Sequence, residues 1–163
     1  MDKLAIAKAY AERMETADVE SWHILAKESV AQVAKLEQYF AVTYASGQPY
    51  RAAKQMFADL DQQKITISTD YLEHPIWTPS ENLAFRLVHD VKGHYHGGKN
   101  GFNWDGEVRV YKASLKHYSL PAYPALFCEV VGQTASRSVT GKFPPQRIVA
   151  FDWDEMRLEN GNG

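Results

Sequence analysis

Apolar residues recur along this chain mostly with a helical period. Residues 2–16 place Leu4, Ile6, Tyr10 and Met14 for one buried face and predict a first helix. Asp18 suits the N-cap of a second helix, with Trp22, Ala26, Val33, Leu36 and Phe40 as its stripe. Ser46-Gly47-Gln48-Pro49 breaks the pattern, and residues 50–60 read as a shorter helix using Ala53, Phe57 and Leu60. Lys64-Ile65-Thr66-Ile67-Ser68 alternates with period two and predicts a strand. Thr78-Pro79-Ser80-Glu81 is a strong start signal: a capping Thr, a Pro at the first helical position and a Glu that completes a capping box. The helix it opens carries Leu83, Leu87, Val88 and Val91, distorts or ends near Gly93 and stops by Gly97-Gly98. Helices are expected over about 104–118 and 121–137. Phe143-Pro144-Pro145 ends the last of these, and Arg147–Phe151 reads as a second strand, expected beside the strand at Ile65. The predicted architecture is mainly α: a helical, bundle-like single domain over 1–158 with a small two-stranded β element. Residues 159–163 form a polar tail.

Composition narrows this picture little. Hydrophobic residues make up 45% and charged ones 23%, so 163 residues suit one globular domain rather than a disordered chain. A net charge of −2 gives no bulk attraction to nucleic acid or to an anionic membrane. The single cysteine, Cys128, excludes an intramolecular disulfide and is expected to be a buried small hydrophobe. Neither a signal peptide nor an apolar run of membrane-spanning length occurs, so a cytoplasmic location is expected.

The informative segment is 79–137. His89, Asp90, His94 and His96 fall within eight residues. Imidazole is a good ligand for zinc, iron, manganese or nickel, and aspartate adds a hard oxygen. The spacing constrains how they act. Asp90 and His94 are four apart and share a face of a regular α-helix. His89 and His94 are five apart, about 140° around it, and bind one metal only if the helix is disturbed between them. Gly93 stands where such a break costs little. Otherwise Asp90 orients an imidazole rather than binding metal. Glu107 opens the next predicted helix, and Glu129 lies in an apolar stretch where a carboxylate must be paired, hydrogen-bonded or metal-bound. Together His89, His94, Glu107 and Glu129 would make a His/carboxylate site supplied by three helices.

Each residue also has a plainer role. Glu107 suits the first-turn charge of a helix, and Glu129 suits a buried ion pair with Arg86 or Arg109. His96 and His117 suit a solvated surface. His74, before Pro75, suits either a turn or a distant ligand. The Gly97–Gly101 stretch lacks phosphate-loop spacing.

The pattern Phe85-Arg86-x-Val88-His89-Asp90-x-x-Gly93-His94, then Gly106-Glu107, Tyr118-Ser119 and Glu129-x-x-Gly132-Gln133, resembles a poorly characterised family from phages and mobile elements. The resemblance covers residues 85–136. It implies a metal site at His89, Asp90, His94, Glu107 and Glu129, and a host-cytoplasmic location. The His89-Asp90 doublet also resembles that of the HD phosphohydrolases. That likeness implies an earlier histidine (His23 or His74), a later aspartate (Asp105) and a nucleotide or phosphoester substrate. The zincin pattern of histidines four apart with an intervening Glu is not met.

The expectation is a metal-dependent hydrolase with one divalent ion, zinc favoured and manganese or iron as alternatives. Glu129 or Glu107, whichever is not a ligand, is the general base, and Arg86 or Lys92 stabilises developing negative charge. The substrate is a small molecule or a peptide, with no nucleic-acid or membrane partner indicated. The competing expectations are a non-catalytic binding protein with a structural metal or none, and an iron site for oxygen chemistry.

Overall fold

The structure, a computed structural model, describes residues 1–156. The expected tail at 159–163 lies outside the described residues. Among the described residues the fold is mainly helical, as the apolar periodicity predicts, with one two-stranded sheet. Helix α1 (Lys3–Glu12) starts where Asp2 Oδ1 accepts the Leu4 and Ala5 amides. It is shorter than the predicted 2–16. Helix α2 (Glu20–Leu36) follows, with Trp22, Leu25 and Ala26 on its buried face. Full burial of large apolar side chains such as these stabilises a fold by about 1.5–3 kcal/mol each.

Two strand expectations need correction. Phe40 does not extend α2. The chain leaves the helix after Leu36 and forms strand β1 (Ala41–Ala45), where β-branched and aromatic residues outweigh the helical spacing. Helix α3 (Ala53–Asp61) then crosses over to strand β2 (Lys64–Ser68), which pairs with β1 in parallel. The 147–151 segment is therefore not the partner of β2, nor is it a strand. Its apolar run was a correct sign of burial: Ile148, Val149 and Phe151 are all in the core. Its backbone groups are met elsewhere. Ile148 O accepts the Thr16 amide, Ile148 N–H donates to Glu15 and Val149 N–H to Cys128 Sγ.

Helix α4 (Pro79–Val88) begins at the predicted capping box, with Thr78 and Glu81 exchanging hydrogen bonds of 3.2 and 3.0 Å. It packs along α2 and runs directly into a π-helical turn, His89–Tyr95. Helix α5 (Trp104–Ser114) ends in a 3-10 turn. The predicted 121–137 helix is real but composite. A 3-10 turn leads into α6 (Tyr123–Phe127), a second π-helical turn (Cys128–Gly132) and α7 (Gln133–Thr140). A short α8 (Trp153–Met156) is tied to α1 by a two-pronged Arg13–Glu155 ion pair. Among the described residues no helix is long and apolar enough to cross a membrane.

Candidate metal centre

The π-helical turn resolves the spacing problem at the histidines. In a π-helix residue i bonds to i+5, so His89 and His94 come round to the same side. Their Nε2 atoms lie 3.1 Å apart. Gly93 makes this turn tolerable in a packed interior. A Cβ there would sit 2.6 Å from Val110 Cγ1 and 3.1 Å from Ser114 Oγ on α5. The absent side chain lets the wide π turn press against α5.

Helix α5 supplies the third donor from its first turn. Its cap, Asn103, accepts the Gly106 amide. A Cβ on Gly106 would fall 2.1 Å from the Gly101 carbonyl, so only glycine lets the loop close over the helix start. Glu107 then reaches both imidazoles, with Oε2 3.3 Å from His89 Nε2 and Oε1 3.2 Å from His94 Nε2. The ligating atoms of these three residues lie within 4.8 Å of one another, and the group could hold a metal ion.

Two further features fit a cation. Among the described residues, buried Glu107 Oε2 has no contact with hydrogen-bond geometry, and its near neighbour is the His89 imidazole at 3.3 Å. An ion would meet a lone pair that is otherwise costly to bury. His94 is aimed by its other nitrogen: Nδ1 lies 2.8 Å from the Asn100 carbonyl, which accepts only if Nδ1 carries the proton. In the neutral ring, Nε2 is then a free lone pair directed at the centre. Asn100 is fixed in turn by Arg109 Nε at 2.9 Å and by its own bond to Gly97 O. Arg109 thus supports the site rather than pairing with Glu129.

Electrostatics follow from this crowding. Burial opposes ionisation of Glu107, but the two imidazoles outweigh it and hold the carboxyl below the ordinary range. Burial disfavours the charged form of His94, but Glu107 and Asp90 outweigh it and raise its pKa. Asp90 is pushed up chiefly by burial and further by Glu107, against the pull of His89, His94 and Arg86.

Asp90 is not part of the three-donor group. It lines the same cleft as the donors, a cavity of about 1650 Å³, and its carboxylate makes no hydrogen bond among the described residues. Glu129 is placed apart as well. The second π-helical turn carries it, and its Oε1 accepts from Trp22 Nε1 at 2.9 Å and meets His74 Nε2 at 2.8 Å. The tautomer of His74 is set locally: Nδ1 accepts the Ile76 and Trp77 amides, so Nε2 holds the proton donated to Glu129. Glu129 therefore has a buried hydrogen-bond network of its own, and it faces the same cleft. Trp22 and His74 were not legible as its partners, because they are remote in sequence.

Arg86 also lines the cleft, but its guanidinium donates to the backbone carbonyls of Ser68, Asp70 and Tyr71. It fastens the segment after β2. Lys92 reaches Gln32 Oε1 on α2. His23 and Asp105 are exposed and are not among the residues lining the cleft. His96 is exposed at the end of the π turn, and His117 lies on the 3-10 turn after α5. Cys128 is buried, and burial pushes its thiol pKa up. Comparison of the chain with family models, curated proteins and solved structures finds no match.

Proposed function

We propose that the protein is a metal-dependent hydrolase, built on the metal site that the phage and mobile-element motif implies. The ligand count supports this best. A structural site is closed by four protein ligands, whereas a catalytic one keeps a position open. Here the donor group has three members, and all three line an open cleft. Two imidazoles and one carboxylate suit zinc, with manganese or iron as alternatives. A divalent ion held there supplies Lewis acidity and makes a nearby water more acidic.

The chain's own residues do the rest. His89, His94 and Glu107 fix the ion. Asp90 directly follows His89 and lines the same cleft, and its carboxylate makes no hydrogen bond among the described residues. We assign to it the proton taken from water. Glu129 does not replace it, since Trp22 and His74 already engage one oxygen. Its remaining oxygen is available to a substrate donor.

The test is elemental mass spectrometry of untagged protein, alongside hydrolysis of p-nitrophenyl acetate and bis(p-nitrophenyl) phosphate. About one ion per chain is expected, lost in His89→Ala, His94→Ala and Glu107→Gln. Asp90→Asn should keep the ion and lose roughly 100-fold or more in kcat. Wild type that stays empty in added zinc, manganese and iron would overturn the proposal. An Asp90→Asn enzyme with normal turnover would remove Asp90 from the mechanism.

A further inference from the structure

Among the described residues, strand β2 is paired on one side only. Ala41 N–H donates to Gln63 O and Thr69 N–H donates to Ala45 O, at the two ends of the β1–β2 register. In a parallel ladder alternate residues of a strand face the partner. Residues 63, 65, 67 and 69 therefore point their backbone groups at β1. Thr66 and Ser68 point theirs at the opposite edge. Two of those four groups are occupied: Thr66 N–H donates to Tyr50 Oη at 3.0 Å, and Ser68 O accepts from Arg86 Nη1 at 2.9 Å. The Thr66 carbonyl and the Ser68 N–H meet no partner among the described residues. Both residues line the cleft that holds His89, His94 and Glu107.

We infer that the cleft takes an extended peptide, which adds as a strand to the free edge of β2 through the Thr66 carbonyl and the Ser68 N–H. This rests on the hydrolase proposal for its consequence, peptide-bond hydrolysis, but the binding site is defined without it. An extended backbone presents both N–H donors and C=O acceptors along one side, and these complement this open pair. Exposed strand edges are normally blunted or covered. Here Tyr50 and Arg86 cover two of the four outward groups, and the pair between them stays open.

The open pair selects against the other long substrate. It needs a donor for the Thr66 carbonyl as well as an acceptor for the Ser68 N–H. A phosphodiester backbone offers acceptors only, whereas a peptide backbone offers both. At the same cleft Tyr71 and Phe143 are exposed and stacked, with ring centroids 6.0 Å apart. Tyr71 holds a left-handed φ of 54°, and both Arg86 and Gln146 bond its carbonyl. These bonds anchor the Tyr71 backbone at the rim, and the exposed Tyr71–Phe143 pair offers an apolar surface to a side chain of the peptide.

The hydrolysis of a peptide bond adds one water: the C–N bond breaks, hydroxide ends on the acyl carbon and the amine leaves with a proton. The test uses the zinc-loaded protein and a random-sequence decapeptide library. In ¹⁵N-labelled Asp90→Asn protein, the library should shift the Ser68 amide resonance more than those of residues 63, 65 and 67. Ser68→Pro deletes the outward N–H without removing a β1 bond, and Ile67 before it is already extended. Ser68→Ala removes only the hydroxyl. Peptide kcat/KM should fall at least tenfold further in Ser68→Pro than in Ser68→Ala, through KM, with both folded by circular dichroism. Equal behaviour of the two variants, or a Ser68 amide indifferent to the library, overturns the inference. Wild type that hydrolyses p-nitrophenyl acetate yet neither binds nor cuts the library also overturns it, and leaves the hydrolase proposal standing. A shifted Ser68 amide in protein inert towards both substrates upholds the peptide site and overturns the hydrolase.

Discussion

Single residues decide whether the donor group forms at all. Gly93 has no room for a side chain between the π turn and α5, since a Cβ would come within 2.6 Å of Val110. Gly93→Ala should cost about 1–3 kcal/mol, the usual penalty for overpacking. It should also spread His89 from Glu107 and weaken zinc binding. Gly101→Ala is the control, because nothing lies within 4 Å of its Cβ position. Thermal melts and zinc titrations of both would check this, and equal losses in the two variants would refute the packing account. Protons compete with zinc at the same atoms. His94 has its pKa raised above 6.5, so it takes up a proton at higher pH than an ordinary imidazole. A ligand must shed its proton to bind. Zinc affinity should therefore fall as pH is lowered, beginning above pH 6.5, by about tenfold per pH unit for one proton displaced. An affinity that stays flat from pH 8 to 6 would show that His94 is not a ligand.

At the level of elements, regular helices were legible and their irregularities were not. The capping box at Thr78 gave α4 its start correctly, and Leu87 and Val88 lie on its buried face, whereas Leu83 is only half-buried. Thr78→Ala should lower stability by about 1 kcal/mol, as loss of an N-cap typically does, measured by urea unfolding of the metal-free protein. A change under a few tenths would mean that tertiary packing alone holds the helix start. The five-residue offset of His89 and His94 was readable as a conflict with a regular helix, and Gly93 as the place to relieve it. The form of the relief was not readable, because a π turn is chosen by packing against α5 rather than by local propensity. Glu129 shows the opposite limit. Its apolar neighbours correctly marked it as buried and partnered, yet Trp22 and His74 are 107 and 55 residues away in sequence. Strand β1 was lost because Phe40 continued the spacing of α2 by coincidence. The segment at 147–151 reads as a strand for its apolar run, which records burial alone.

Across the whole molecule the two carboxylates hold different parts together, and this predicts opposite responses to metal. Glu107 joins α5 to the π turn that extends α4. Glu129 joins the second π turn to α2 through Trp22 and to the segment before α4 through His74. A ligand bound only by the folded state stabilises it by about 2.7 kcal/mol at 100 times its Kd. For a chain of this length that is roughly 5–10 °C in Tm. Wild type should show this rise with zinc. Glu107→Gln should show almost none, because a neutral amide cannot complete the donor set. Glu129→Leu should start lower, since it strands the Trp22 and His74 N–H groups in the interior at about 1–3 kcal/mol for each unsatisfied donor. Its zinc-induced rise should nevertheless equal that of wild type. The two variants thus separate baseline stability from the metal increment. If Glu129→Leu also abolished the increment, Glu129 would belong to the metal centre, and the site would draw on three helical segments instead of two.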